Sequence, residues 1–172
     1  MDPKALRLIA LAVTSCLSLG ACEQINRFFE QPEASNGEAL APGRKLVMPP
    51  DKVWELEKCE TLPLPYIRLD ETEITPKTVK PGASVVYKLS YTACVPQLPG
   101  YILGQLKTTV RSDTRIQNSR TDEGYPVETG KWIVNTKISI PDNASPGFYF
   151  VQATISANDE TVRDIIGFVV EP

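Results

Sequence analysis

The chain has 172 residues, with 18 lysines and arginines against 21 aspartates and glutamates, a formal charge of −3. That balance gives no global attraction for nucleic acid or anionic headgroups, although local basic patches remain open. Histidine is absent and cysteine occurs four times, which excludes Ser-His-Asp triads, Cys-His pairs and zinc sites built on imidazole.

The N-terminus carries Lys4 and Arg7, then an apolar run from Leu8 to Leu19 broken only by Thr14, Ser15, Cys16 and Ser18. This is the layout of a secretory signal, and the run is too short to span a bilayer comfortably as a permanent helix. Small residues then lead directly to a cysteine. Leu19-Gly20-Ala21-Cys22 resembles the lipobox of bacterial lipoproteins. The resemblance implies cleavage after residues 1–21, a diacylglycerol on the Cys22 thiol and acylation of the new amine. It also implies attachment to the cell envelope. In that family an aspartate after the cysteine favours inner-membrane retention; here the residue is Glu23, so the outer membrane, facing the periplasm, is the expected location.

Residues 22–58 read as a lipidated N-terminus and tether. Glu30 to Gly43 has the Pro, Gly, Ser and Glu bias of a segment that cannot bury enough apolar surface to order itself. Ile25, Phe28 and Phe29 have helical spacing, suited either to resting on a membrane interface or to being stray apolar residues in a linker. Val47 to Leu56 contains Trp54, and a tryptophan is unusual in a solvated tether, so this stretch is expected to dock on the domain.

From Cys59 the pattern becomes β. Tyr66 to Ile74 supplies a first strand. Ala83 to Cys94 alternates with period two, placing Val85, Tyr87, Leu89, Tyr91 and Ala93 on one face. Val79-Lys80-Pro81-Gly82 announces it as a turn. Tyr101 to Arg111 is a further strand, followed by a more polar stretch around Asp113 to Glu128. Lys131 to Ile140, Phe148 to Ala157 and Glu160 to Glu171 complete the set. No window beyond the signal shows helical periodicity over three turns.

Residues 59–172 therefore read as an all-β, antiparallel β-sandwich of about seven strands. Ile140 to Tyr149, IPDNASPGFY, resembles the corner of immunoglobulin-like and fibronectin type III-like domains. The resemblance covers about residues 62–172 and implies a Tyr149 hydroxyl bonding back to the backbone just upstream. The chain lacks the second cysteine of antibody domains on the strand starting at Phe148. With Cys16 leaving in the signal and Cys22 lipidated, Cys59 is the partner left for Cys94. Such a bridge closes a loop of roughly 35 residues and contributes about 3–4 kcal/mol through chain entropy.

Candidate chemistry is sparse. Asp70, Glu71 and Glu73, and Asp122, Glu123 and Glu128, could serve glycoside hydrolysis or calcium binding, but neither group has calcium-loop spacing. Solvated strand charges are the favoured reading, with no catalytic residue, metal or cofactor. Lys107, Arg111, Arg115 and Arg120 form a basic stripe suited to an acidic partner, an anionic glycan or a solvated face, the last being favoured. Tyr101, Tyr125 and Trp132 could make a sugar-stacking platform, although Trp132 alternates in phase with Val134 and Ile138 and is expected in the core. The sequence favours a non-catalytic module binding another envelope protein, anchored to the membrane and with no nucleic-acid partner. A glycan- or peptidoglycan-binding module and a histidine-free carboxylate hydrolase are the alternatives.

Overall fold

The computed structural model describes residues 43–98, 100–112 and 115–172. The signal, Cys22, the Ile25, Phe28 and Phe29 cluster and the first part of the tether lie outside the described residues. In chain order the elements are β1 (Gly43–Met48), α1 (Pro50–Leu56), a 3-10 turn (Cys59–Thr61), β2 (Tyr66–Thr75), β3 (Thr78–Val79) and β4 (Ser84–Cys94). Then follow β5 (Tyr101–Ser112), β6 (Arg115–Glu128), β7 (Gly130–Ser139), β8 (Gly147–Ala157) and β9 (Glu160–Val170).

These strands form two sheets, ordered β1-β7-β4-β2 and β3-β9-β8-β5-β6. The fold is an all-β sandwich, and every pairing is antiparallel except β3 with β9. Among the described residues there are nine strands where about seven are expected. The two additions are the two-residue β3 and β1, which falls within the expected tether.

The domain therefore begins earlier than residue 59. Gly43 to Met48 pairs with β7, with Leu46 opposite Trp132, and α1 follows immediately. The physical reason is that Arg44 and Leu46 share one face of the strand and have a place to put their side chains, which composition alone does not reveal. The docking expected of Val47 to Leu56 is found, but as a paired strand end and a helix rather than as a loose strap.

Alternation in β4 does what period two requires: Val85, Tyr87, Leu89, Tyr91 and Ala93 are all buried between the sheets. Val110, Val127, Ile138, Val151, Ile155 and Phe168 meet them from the other strands. The stretch from Arg115 to Glu128 is a full strand, because its inward positions Asn118, Tyr125 and Val127 are buried despite the polar composition.

At one end of the sandwich Val53, Cys59 and Cys94 form a second, smaller core, with Met48, Trp54, Leu62 and Tyr66 packed on it. Cys59 and Cys94 are joined by a disulfide, their Cα atoms 5.7 Å apart. This bridge and Val53 fix α1 across the end of the first sheet. Tyr149 Oη donates to the Ser145 carbonyl at 3.0 Å, so the corner bond expected from the Ile140–Tyr149 segment is present.

Candidate functional site

A cleft of about 650 Å³ lies at the α1 end of the sandwich. Leu46 of β1, Pro50, Asp51 and Trp54 of α1, and Trp132 of β7 form one side. Gln97 and Gly100 from the β4–β5 connection, with Glu128 and Thr129 from the β6–β7 corner, form the other. Two indoles on an open surface give large apolar contact area, while Gln97 and Asp51 offer polar groups able to set orientation.

Each wall has a local cause. Pro49 leads into α1 and Pro50 occupies its first turn, where a missing N–H costs nothing. Lys58, at φ 52°, ends the segment and turns the chain toward Cys59. The Val95 N–H donates to Thr129 Oγ1 at 3.0 Å, tying the β4–β5 connection to the β6–β7 corner. Gly130 has φ +144°, and a Cβ there would lie 2.9 Å from Leu46 Cδ1 and 3.0 Å from Trp132 Nε1. Only glycine lets those two side chains close the cleft floor.

Beneath the floor sits Arg44. Its guanidinium carbon lies 3.4 Å from the centroid of Trp132 and 5.3 Å from that of Tyr125. Arg44 Nη1 pairs with Glu128 Oε2 at 3.0 Å, and Trp132 Nε1 donates to the Glu128 carbonyl at 3.1 Å. Tyr125 Oη in turn shares a 3.0 Å hydrogen bond with Tyr91 Oη. Burial pushes both phenols above their ordinary values, so this contact stays neutral. Arg44 thus bridges the edge strand of one sheet to that of the other.

The sequence candidates disperse. Tyr101 is 46% exposed and points outward, whereas Tyr125 is 9% exposed and faces the interior. The sugar platform of Tyr101, Tyr125 and Trp132 is therefore not assembled: the latter two flank Arg44 and Tyr101 lies on the opposite face of its sheet. Trp132 is partly buried and packs on the core, as expected, while also lining the cleft. Of the basic stripe, Lys107 and Arg111 lie on outward rows of the second sheet and Arg115 opens β6. Arg120 leaves the stripe, pairing with Asp122 at 2.9 Å.

The carboxylates do not converge either. Asp70 accepts from Thr92 at 2.7 Å and pairs with Arg68 at 3.0 Å and Lys131 at 3.4 Å on the outside of the first sheet. Glu71 and Glu73 share Lys88, at 3.8 and 3.2 Å. Glu123 accepts from Gln105 at 2.6 Å on the second sheet. These carboxylates work as cross-strand ties, and the pairing needed by a carboxylate hydrolase is missing between Asp70 and Glu123. Among the described residues no group of three or more acidic or cysteine side chains is gathered to hold a metal. No described helix is long and apolar enough to cross a membrane.

Arg44 and the cleft itself were not anticipated. Arg44 stands in a stretch whose composition reads as tether, and no local pattern marks an arginine that will stack on a tryptophan 88 positions later.

No protein-family model matches the chain, and no curated protein matches it in sequence. Among solved structures, Pseudomonas fluorescens alkylpurine DNA glycosylase AlkC, bound to DNA containing an abasic site analogue, is 12% identical with a TM-score of 0.47. The match covers 62% of this chain and 30% of that one. Spo0M, a sporulation control protein from Bacillus subtilis, is 12% identical over 62% of this chain and 49% of its own, with a TM-score of 0.38. A family 123 glycoside hydrolase from Clostridium perfringens is 12% identical over 75% of this chain and 27% of its own, with a TM-score of 0.43. The chain spans less than half the length of each, and these likenesses carry nothing about its activity.

Proposed function

We propose that the chain is a non-catalytic lipoprotein of the bacterial envelope, anchored through Cys22, whose sandwich binds another protein in the cleft between Trp54 and Trp132. The carrying observation is the cleft: two indoles and Leu46 on an open end of the domain, with Asp51 at the rim. Leu98, 90% exposed, extends apolar surface from the neighbouring connection. An apolar side chain beside a basic residue on the partner fits this lining, the first against the indoles and the second against Asp51. The Tyr149–Ser145 corner bond supports an immunoglobulin-like reading of the sandwich. The lipobox of Leu19 to Cys22 supports the anchor, and Glu23 supports the outer membrane, facing the periplasm.

Site-specific photocrosslinking in intact cells tests the binding site. A photoreactive residue at Leu98 is expected to give one discrete adduct that disappears with Trp54→Ala, while the same probe at Lys137 gives none. Equal labelling from both positions, or an adduct indifferent to Trp54, would overturn the cleft as the interface.

Two indoles beside an amide and a carboxylate also suit a sugar ring, which keeps a glycan-binding reading open. Sedimentation of the chain with purified sacculi, compared with Trp54→Ala, decides it: Trp54-dependent pelleting would favour the glycan and no pelleting would remove it.

A further inference from the structure

The cleft is lined by two tryptophans and two carboxylates, Trp132 with Glu128 and Trp54 with Asp51. The first pair is filled from within the chain. Arg44 holds its guanidinium carbon 3.4 Å from the Trp132 centroid, and its Nη1 pairs with Glu128 Oε2 at 3.0 Å. One flat cation thus satisfies an indole face and a carboxylate together. Trp132 Nε1 is committed to the Glu128 carbonyl, and Thr129 Oγ1 accepts from the Val95 N–H.

Trp54 and Asp51 repeat the combination on α1. They stand three residues apart, a spacing that puts both on one side of a helix, and both line the cleft. Among the described residues Trp54 has no cation or ring partner, and Asp51 has no ion pair. The lysines on the neighbouring elements are turned elsewhere. Lys52 pairs with Glu55 at 3.9 Å and Lys131 with Asp70 at 3.4 Å. Lys45, opposite Ile133, stands on the other row of β1 from Leu46. Arg44 offsets the charge of Glu128, so Asp51 carries the uncompensated charge of the lining.

We infer that a single arginine side chain of the partner protein anchors the complex, its guanidinium stacked on Trp54 and hydrogen-bonded to Asp51. This rests on the reading of the cleft as a protein-binding site and names the group that the cleft takes. Arginine fits the lining on three counts. Its charge complements the lone carboxylate. Its methylene stem covers apolar surface, here Leu46 and Pro50, so one residue supplies both the apolar and the basic contact. Its planar fork can bond a carboxylate while stacking on an indole, as Arg44 does on the cleft floor, and a lysine ammonium cannot. The commitments of Trp132 Nε1 and Thr129 Oγ1 leave a sugar fewer partners, whereas a guanidinium needs neither group.

Trp54 and Trp132 are the two tryptophans of the chain, so indole fluorescence reports on this cleft alone. The full chain, purified in detergent, is titrated with capped Gly-Arg-Gly, Gly-Lys-Gly and Gly-citrulline-Gly, the last keeping the shape of arginine without its charge. A saturable shift in the millimolar range is expected with arginine, weaker with lysine and about tenfold weaker with citrulline. Asp51→Asn should remove the advantage of arginine over citrulline. Trp54→Phe, which keeps a ring with a weaker π face, should reduce arginine binding by about threefold. In cells the Leu98 crosslink should weaken with Asp51→Asn and vanish with Asp51→Lys, which sets a like charge against the guanidinium. Equal shifts from arginine and citrulline, or no shift from either, would overturn the arginine anchor. A Leu98 adduct that needs Trp54 but survives Asp51→Lys would also overturn it, while leaving the protein interface standing. Arginine-selective, Asp51-dependent shifts without any Leu98 adduct would do the reverse, keeping the arginine subsite and removing the protein partner.

Discussion

The Arg44 guanidinium lies 3.4 Å from the ring centroid of Trp132 and pairs with Glu128, so a single edge-strand side chain fastens the two sheets across their open flank. Arginine suits this role because its guanidinium is flat and weakly hydrated, able to stack on an indole while hydrogen-bonding in its own plane. The flank would otherwise expose the interior between β1 and β6.

Arg44→Ala is expected to destabilise the domain by about 1–2 kcal/mol, the sum of a partly desolvated cation–π contact and lost packing. The loss stays below that of a fully buried ion pair because Glu128 is 40% exposed and water can resolvate it. Arg44→Lys should recover little, since an ammonium cannot stack. Urea unfolding of the two variants checks this, and a lysine variant as stable as wild type would show that charge alone matters.

The disulfide holds α1 over the cleft as well as constraining the chain. Cys59→Ser with Cys94→Ser should cost about 3–4 kcal/mol, as expected for closing a loop of roughly 35 residues. Because Trp54 sits on the same small core as the two cysteines, the crosslink from Leu98 should weaken along with stability. Unfolding under reducing conditions, followed by crosslinking of the reduced but folded fraction, separates the two effects.

Asp70 sets an acid limb. Burial raises its carboxyl, but the hydrogen bonds from Thr92 and Arg68 and the charge of Lys131 outweigh burial and hold it below the usual value. A carboxyl lowered in the folded state contributes stability that is fully present above its unfolded pKa of about 3.9 and is lost as pH falls through the folded value. The stability gap between wild type and Asp70→Asn should therefore be constant above about pH 5 and shrink steadily in more acidic solution. Urea midpoints measured across that range check the sign; a gap that widens on acidification would contradict it.

The corner bond is a local term. Tyr149→Phe removes the hydroxyl that donates to the Ser145 carbonyl and should cost about 1 kcal/mol, with little change in the slope of urea unfolding.

Period-two alternation made the sandwich legible, because Val85 through Ala93 can bury one face only as a strand. The corner bond of Tyr149 was legible for a different reason, since Pro141, Gly147 and Tyr149 stand in a recognisable local order. The site was not. Its two indoles come from α1 and β7, its acidic groups from α1 and β6, and nothing in a single sequence says which strands become neighbours. Tyr125 shows the limit most plainly: in a polar stretch it reads as available, yet its parity with Val127 turns it inward. Bulges at Gly104/Gln105 and Val110/Arg111 shift the β5–β6 register and defeat any simple count of faces along that hairpin.

The anchor carries the last prediction. Cys22→Ser should release the protein from membranes or leave an uncleaved precursor, because no thiol remains to accept the diacylglycerol. Unchanged processing and membrane fractionation would refute lipidation. With wild type in the outer membrane, Glu23→Asp should move it to inner-membrane fractions, and wild type already found there would overturn the outer-membrane assignment.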